Sequence, residues 1–194
     1  CGIFGFWLNR PLNTKDLNIG RHCTSELSHR GPDGFGEWYD LNKGIYFGHR
    51  RLAINDLNNR SDQPMIRNNT VLSFNGEIYN FIELKKELEE KGNYFETTGD
   101  TEVLLKSWIQ WEEEMFEKID AMFSLAIKHN NQLILATDAF GEKPLYIANT
   151  HEGIWFSSEP QPLINNLNLK WDLSEEELKL FLSLGYLPPP KTGY

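Results

Sequence analysis

Four places along the chain carry side chains suited to chemistry. The first is the first residue, Cys1. A thiol is the most nucleophilic common side chain, but only as thiolate, and its free pKa of about 8.5 means it needs a base. At a chain terminus its own α-amine can serve, with a pKa of about 7.7–8.0 and a covalent tether that keeps it close. The competing reading is an accident of where a chain starts. The second place is Asn75–Gly76–Glu77–Ile78–Tyr79–Asn80. An apolar strand runs into it and a helix follows, so Asn75–Gly76 is no hairpin tip. An Asn amide and a Gly N–H could both face one oxygen, as an oxyanion hole does, or the pair could simply be a turn. Third is Arg51, at the end of Gly48–His49–Arg50–Arg51, whose guanidinium fork fits a carboxylate. Fourth is Asp100, in Thr98–Gly99–Asp100–Thr101–Glu102, where by itself it reads as a helix N-cap. Together, Arg51 and Asp100 suit the carboxylate and ammonium of a free amino acid. The polar loop His29–Arg30–Gly31–Pro32–Asp33 discloses no chemistry from its residues alone.

The elements that must position these groups follow from periodicity. Ile3 to Leu8 reads as a buried strand, and Thr14 as the cap of a helix to about Ser28. Phe35–Leu41 and Gly44–Leu52 pattern as a hairpin, and a polar loop spans Asn55 to about Asn69. Val71–Phe74 is a strand. A helix from Asn80 to near Gly92 carries Phe81, Leu84 and Leu88 on one face. Another, from Thr101 to Trp111, turns Val103, Leu104, Ser107 and Trp108 inward. Met122–Lys128 with Gln132–Thr137, and Leu145–Ala148 with Ile154–Phe156, make two more hairpins; Ser174 opens a last helix. Hairpins and helices in separate blocks predict an α+β fold with antiparallel sheets.

Composition narrows the function classes. The 194 residues are 40% hydrophobic and 13% aromatic, enough for a sizeable core. A net charge of −9 disfavours nucleic acid, and no apolar run is long enough to span a bilayer. Two cysteines make no disulfide framework and no signal peptide is visible, so a cytoplasmic setting is expected. The missing initiator Met predicts processing that frees the Cys1 amine.

Taken together, Cys1–Gly2–Ile3–Phe4–Gly5, His29–Arg30–Gly31–Pro32–Asp33, Arg51–Leu52–Ala53–Ile54, the 75–80 segment, Gly99–Asp100–Thr101–Glu102–Val103 and Phe140–Gly141–Glu142–Lys143–Pro144–Leu145–Tyr146 resemble one family. It is the class II glutamine amidotransferases, N-terminal nucleophile hydrolases, in the asparagine synthetase branch. The resemblance implies a four-layer αββα sandwich, two antiparallel sheets between helical layers. It implies Cys1 as nucleophile and its α-amine as base, with the Asn75 side chain and Gly76 N–H as oxyanion hole. Arg51 would bind the α-carboxylate of L-glutamine and Asp100 with Glu77 its α-ammonium, while backbone groups of Ile54 and Asn55 complete the pocket. No metal or cofactor is expected in this domain; ATP and Mg would serve a synthetase domain. Residues 1–185 would form the glutaminase domain, and 186–194, which include Pro188–Pro190, a linker or the start of the synthetase domain, the expected partner. A homodimer is open, as is the ammonia acceptor. One departure stands out: Thr137 precedes Asp138 where the family often has Arg, in a segment expected to face the partner domain.

Two rivals remain. One is a degenerate docking or regulatory domain; the other is an amide hydrolase of the same fold with another substrate. A papain-like protease would need a His partner, and none of the five His sits in a setting that suggests one.

Overall fold

The computed structural model describes residues 1–54, 59–170 and 174–188. In chain order its elements are β1 (Gly2–Leu8), α1 (Thr14–Glu26), β2 (Gly34–Asp40), β3 (Ile45–Arg51), β4 (Met65–Arg67), β5 (Thr70–Ile78), α2 (Phe81–Glu90), α3 (Asp100–Trp111), α4 (Met115–Lys118), β6 (Ala121–His129), β7 (Gln132–Thr137), β8 (Tyr146–Thr150), β9 (Gly153–Ser157), α5 (Pro160–Leu167) and α6 (Glu175–Leu184). Two sheets form, in the orders β2-β3-β1-β9-β8 and β4-β5-β6-β7, with every pairing antiparallel.

Three layers of apolar packing bind these parts into an αββα sandwich. Side chains alternate across a strand, so β1 sends Phe4, Phe6 and Leu8 toward Cys23, Leu27 and Leu163 on the side of α1 and α5. Its other face meets the second sheet, where Ile45, Phe47, Val71, Ala126 and Phe156 form the core between the sheets. Gly5 lies on that face because a Cβ there would come within 2.3 Å of the Phe156 ring. On the far side of the second sheet, Leu72, Phe74 and Leu125 pack against Leu84 and Leu88 of α2 and Val103, Leu104 and Trp108 of α3. The α+β sandwich expected from the sequence is the fold observed.

Local expectations needed several corrections. The cap of α1 is Asn13, not Thr14: Asn13 Oδ1 accepts from Lys15 N and Asp16 N, and the Asp16 carboxylate accepts from Asn13 N in return. Within the supposed polar loop, Met65–Arg67 form an edge strand, with Met65 buried and Ile66 exposed. Asp100 does not cap α3; Gly99 holds the cap position and Asp100 is the first helical residue. Helix α5 was not expected from the sequence; its first turn holds Pro160 and Pro162, where proline is tolerated because the N–H has no partner to lose. The largest correction concerns Asn75–Gly76, which is no turn. Strand β5 continues through Ile78, pairing Asn75 with Ser124, Gly76 with Phe123 and Ile78 with Ala121.

Candidate active site

The topology brings two strand segments together. β1 lies at the centre of the first sheet, so Cys1 emerges from the middle of the sandwich; β3 beside it ends at Arg51. β5 of the second sheet carries Asn75, Gly76 and Glu77, and the first turn of α3 brings Asp100. These residues line one cleft of about 160 Å³, together with Leu52, Ile54, Gln63 and Lys143. Every expected site residue within the described part of the chain is therefore in the same cleft; Asn55 lies outside the described residues.

The Cys1 side of the cleft is built from charges and a thiol. The Leu52 N–H donates to Cys1 Sγ at 3.4 Å, and Sγ lies 3.7 Å from Leu52 O. A donor at sulfur favours the thiolate. The Cys1 amine is lowered from 8.0 to about 6, first by burial, then by the charges of Arg30 and Lys143. It is therefore mostly unprotonated at neutral pH and able to take a proton from the thiol. Arg51 Nη1 donates to Asp62 Oδ1 at 2.8 Å, so an incoming carboxylate would meet a guanidinium already oriented by an acid that is itself half exposed. His49 is buried and donates from Nε2 to Phe74 O at 3.1 Å; burial lowers its pKa to about 3, so it is a neutral strut between the sheets.

The opposite side is built from one strand edge. Residues along a strand direct their N–H groups alternately to either neighbour. On the β7 side, Phe123 O accepts from Asp138 N and the Phe123 N–H donates to Asp138 Oδ2, so its partner Gly76 points its N–H away from β6. The N–H groups of Phe74 and Ile78 share that edge. Gln63 Oε1 accepts from Phe74 N at 2.6 Å and Asp100 Oδ2 from Ile78 N at 3.1 Å. The Gly76 N–H lies between these two and faces the cleft. A Cβ at 76 would come within 2.2 Å of Met122 O, so the close strand approach requires glycine. Asn75 points one amide N–H at Ser124 Oγ, 3.5 Å away, and its amide has a second donor. The Asp100 pKa is raised, chiefly by burial and further by Glu77, with backbone donors from Ile78 and Thr101 opposing. Two acids thus face the cleft side by side, one of them buried, an arrangement suited to a cation.

Lys143 was missed as a cleft residue. Asp138 folds the Lys143 segment back toward the cleft by accepting from the N–H groups of Phe123, Phe140, Glu142 and Lys143. Burial opposes the charge on Asp138, yet these four donors hold its carboxyl below the usual range. Gln63 was missed as well; nothing in its sequence setting marks it. Among the described residues, no group of three or more His, Cys, Asp and Glu is arranged to hold a metal, and no helix is long and apolar enough to cross a membrane.

At residue 1 a thiol and an amine lie side by side, in line with the central strand of the first of two stacked antiparallel sheets. The chain belongs to the glutamine amidotransferase domain family, whose profile matches residues 1–194. Among relatives, it is 38% identical over 99% of its length to an asparagine synthetase [glutamine-hydrolyzing] of Bacillus subtilis, and 32% identical over its whole length to a putative one of Methanocaldococcus jannaschii. It spans 31% and 41% of those proteins, respectively. Among solved structures, glutamine phosphoribosylpyrophosphate amidotransferase from B. subtilis superposes with a TM-score of 0.71 at 23% identity, over 87% of this chain and 44% of that one.

Proposed function

We infer that this chain hydrolyses L-glutamine to L-glutamate and ammonia through a thioester on Cys1. The observation that carries the reading is a thiol with a low-pKa amine across one small cleft from a strand edge with an open N–H. The amine takes the thiol proton, and Sγ attacks the side-chain carbonyl carbon of glutamine. The carbonyl π electrons move to oxygen, where the Gly76 N–H and Asn75 amide stabilise the negative charge; preorganised donors of this kind contribute about 10²–10³ in rate each. Collapse of the intermediate expels the amide nitrogen, which takes the proton from the Cys1 ammonium and leaves as ammonia. Water, deprotonated by the same amine, then releases glutamate and restores the thiol. Arg51 binds the α-carboxylate, Asp100 and Glu77 the α-ammonium, and backbone groups of Ile54 and Asn55 the rest of the substrate.

Relatives named as asparagine synthetases, about three times as long, support a second step in which ammonia passes to an ATP-dependent synthetase domain of the same protein. ATP and Mg would bind there. Residues 1–185 would be the glutaminase unit and 186–194 the path into the next.

Ammonia release from glutamine, asparagine and N-acetylglutamine tests the substrate assignment. Only glutamine should be turned over at an appreciable rate. Equal turnover of the N-blocked compound would contradict the roles of Asp100 and Glu77.

A further inference from the structure

A nucleophile at a chain end is held by one peptide bond only, and chain ends fray unless tied down. Cys1 is tied by side chains from two distant segments. Arg30 Nε donates to the Cys1 carbonyl oxygen at 3.0 Å. The same guanidinium donates from Nη1 to Glu159 Oε1 at 2.9 Å, and that oxygen also meets His29 Nε2 at 2.9 Å. One residue earlier, Ser158 brackets Ile3: the Ile3 N–H donates to Ser158 Oγ and the Ser158 N–H to Ile3 O, both at 2.9 Å.

Glu159 sits at the cap position of α5, yet its side chain makes no cap bond. Its carboxylate is directed at Arg30 and His29 instead. Burial opposes its charge, but these two partners hold its carboxyl below the usual range. Neither Arg30 nor Glu159 lines the cleft, so neither is placed to touch substrate.

We propose that Glu159 is a positioning residue for the nucleophile: it fixes the Arg30 guanidinium, which fixes the Cys1 backbone and so aims thiol and amine into the cleft. This rests on the reading of Cys1 as nucleophile. The end of β9 thereby controls residue 1 from more than 150 positions away in sequence. Small misplacements of a reacting group are costly, up to about 10²-fold for an ångström.

The test compares Glu159→Ala, Glu159→Gln, Arg30→Ala and the Arg30→Ala/Glu159→Ala pair with the unsubstituted protein. Glutamine turnover is measured, and hydrogen exchange at the amides of residues 2 and 3. Glu159→Ala should lower kcat about tenfold with KM within about twofold. Glu159→Gln keeps an acceptor oxygen and should stay within about threefold. Added to Arg30→Ala, Glu159→Ala should change nothing further, because the two act in series. Exchange at residues 2 and 3 should quicken about fivefold in the Ala variants. A Glu159→Ala protein with unaltered kcat, or one whose loss is undiminished in the Arg30→Ala background, would overturn the proposal. If the unsubstituted protein failed to hydrolyse glutamine, the nucleophile reading would fall. The clamp would then stand or fall on the exchange rates alone.

Discussion

On one wall of the cleft, Asn75 and Gly76 sit inside an unbroken ladder, paired residue by residue with Ser124 and Phe123. On the other, the position of Cys1 depends on Arg30, Leu52 and their neighbours. Backbone ladder bonds place the first wall, whereas the second relies in addition on the Arg30 side chain and on a bond to the Cys1 thiol itself. Damage to the first should therefore need a steric clash or loss of a donor, whereas the second should be sensitive to single charges some distance from the reaction.

The largest effects should come from the nucleophile itself. Cys1→Ala should lower glutamine turnover at least about 10³-fold while thermal unfolding changes little. A residue retained ahead of Cys1 should do the same, because it converts the amine to an amide and removes the base. Next comes the ladder wall. Asn75→Ala should cut kcat by about 10²–10³ with a small change in KM. Gly76→Ala should cost as much and lower Tm too, since its Cβ meets Met122 O. Were Gly76→Ala to keep activity, the ladder would not be the rigid partner described. Arg51→Ala should act mainly on KM, by about 10- to 100-fold, as loss of a charge-assisted pair contributing roughly 1.5–3 kcal/mol would give. An unchanged KM would remove Arg51 from the substrate site.

The smallest effect concerns pH. The amine must be unprotonated to act, and its pKa is lowered to about 6. So kcat/KM should be level above neutrality and fall as pH drops through about 6, not through about 8 as for an ordinary amine. Lys143→Gln removes one of the charges that lower the amine and should move the limb to higher pH.

The same contrast explains what the sequence disclosed. Periodicity located every strand but β4 and the apolar faces of α2 and α3, because those depend on local alternation. The segments around Cys1, Arg51, Asn75 and Asp100 were legible because each pairs a reactive group with a local backbone signal. Continuity of β5 through Asn75–Gly76 was not legible: Asn–Gly has strong turn chemistry, and only pairing with β6 overrides it. Glu159 and Gln63 were invisible for a related reason. Each reaches the site through a contact with residues far away in sequence, which no local pattern encodes.

The most direct test exploits the two cysteines. Cys23 is buried and its thiol is pushed up to about 12, mainly by burial, so it serves as an internal control. An electrophilic glutamine analogue is added and the adduct located by mass spectrometry. The account predicts one adduct on Cys1, none on Cys23, and protection by L-glutamine. No adduct on Cys1, or labelling that glutamine fails to slow, would contradict it.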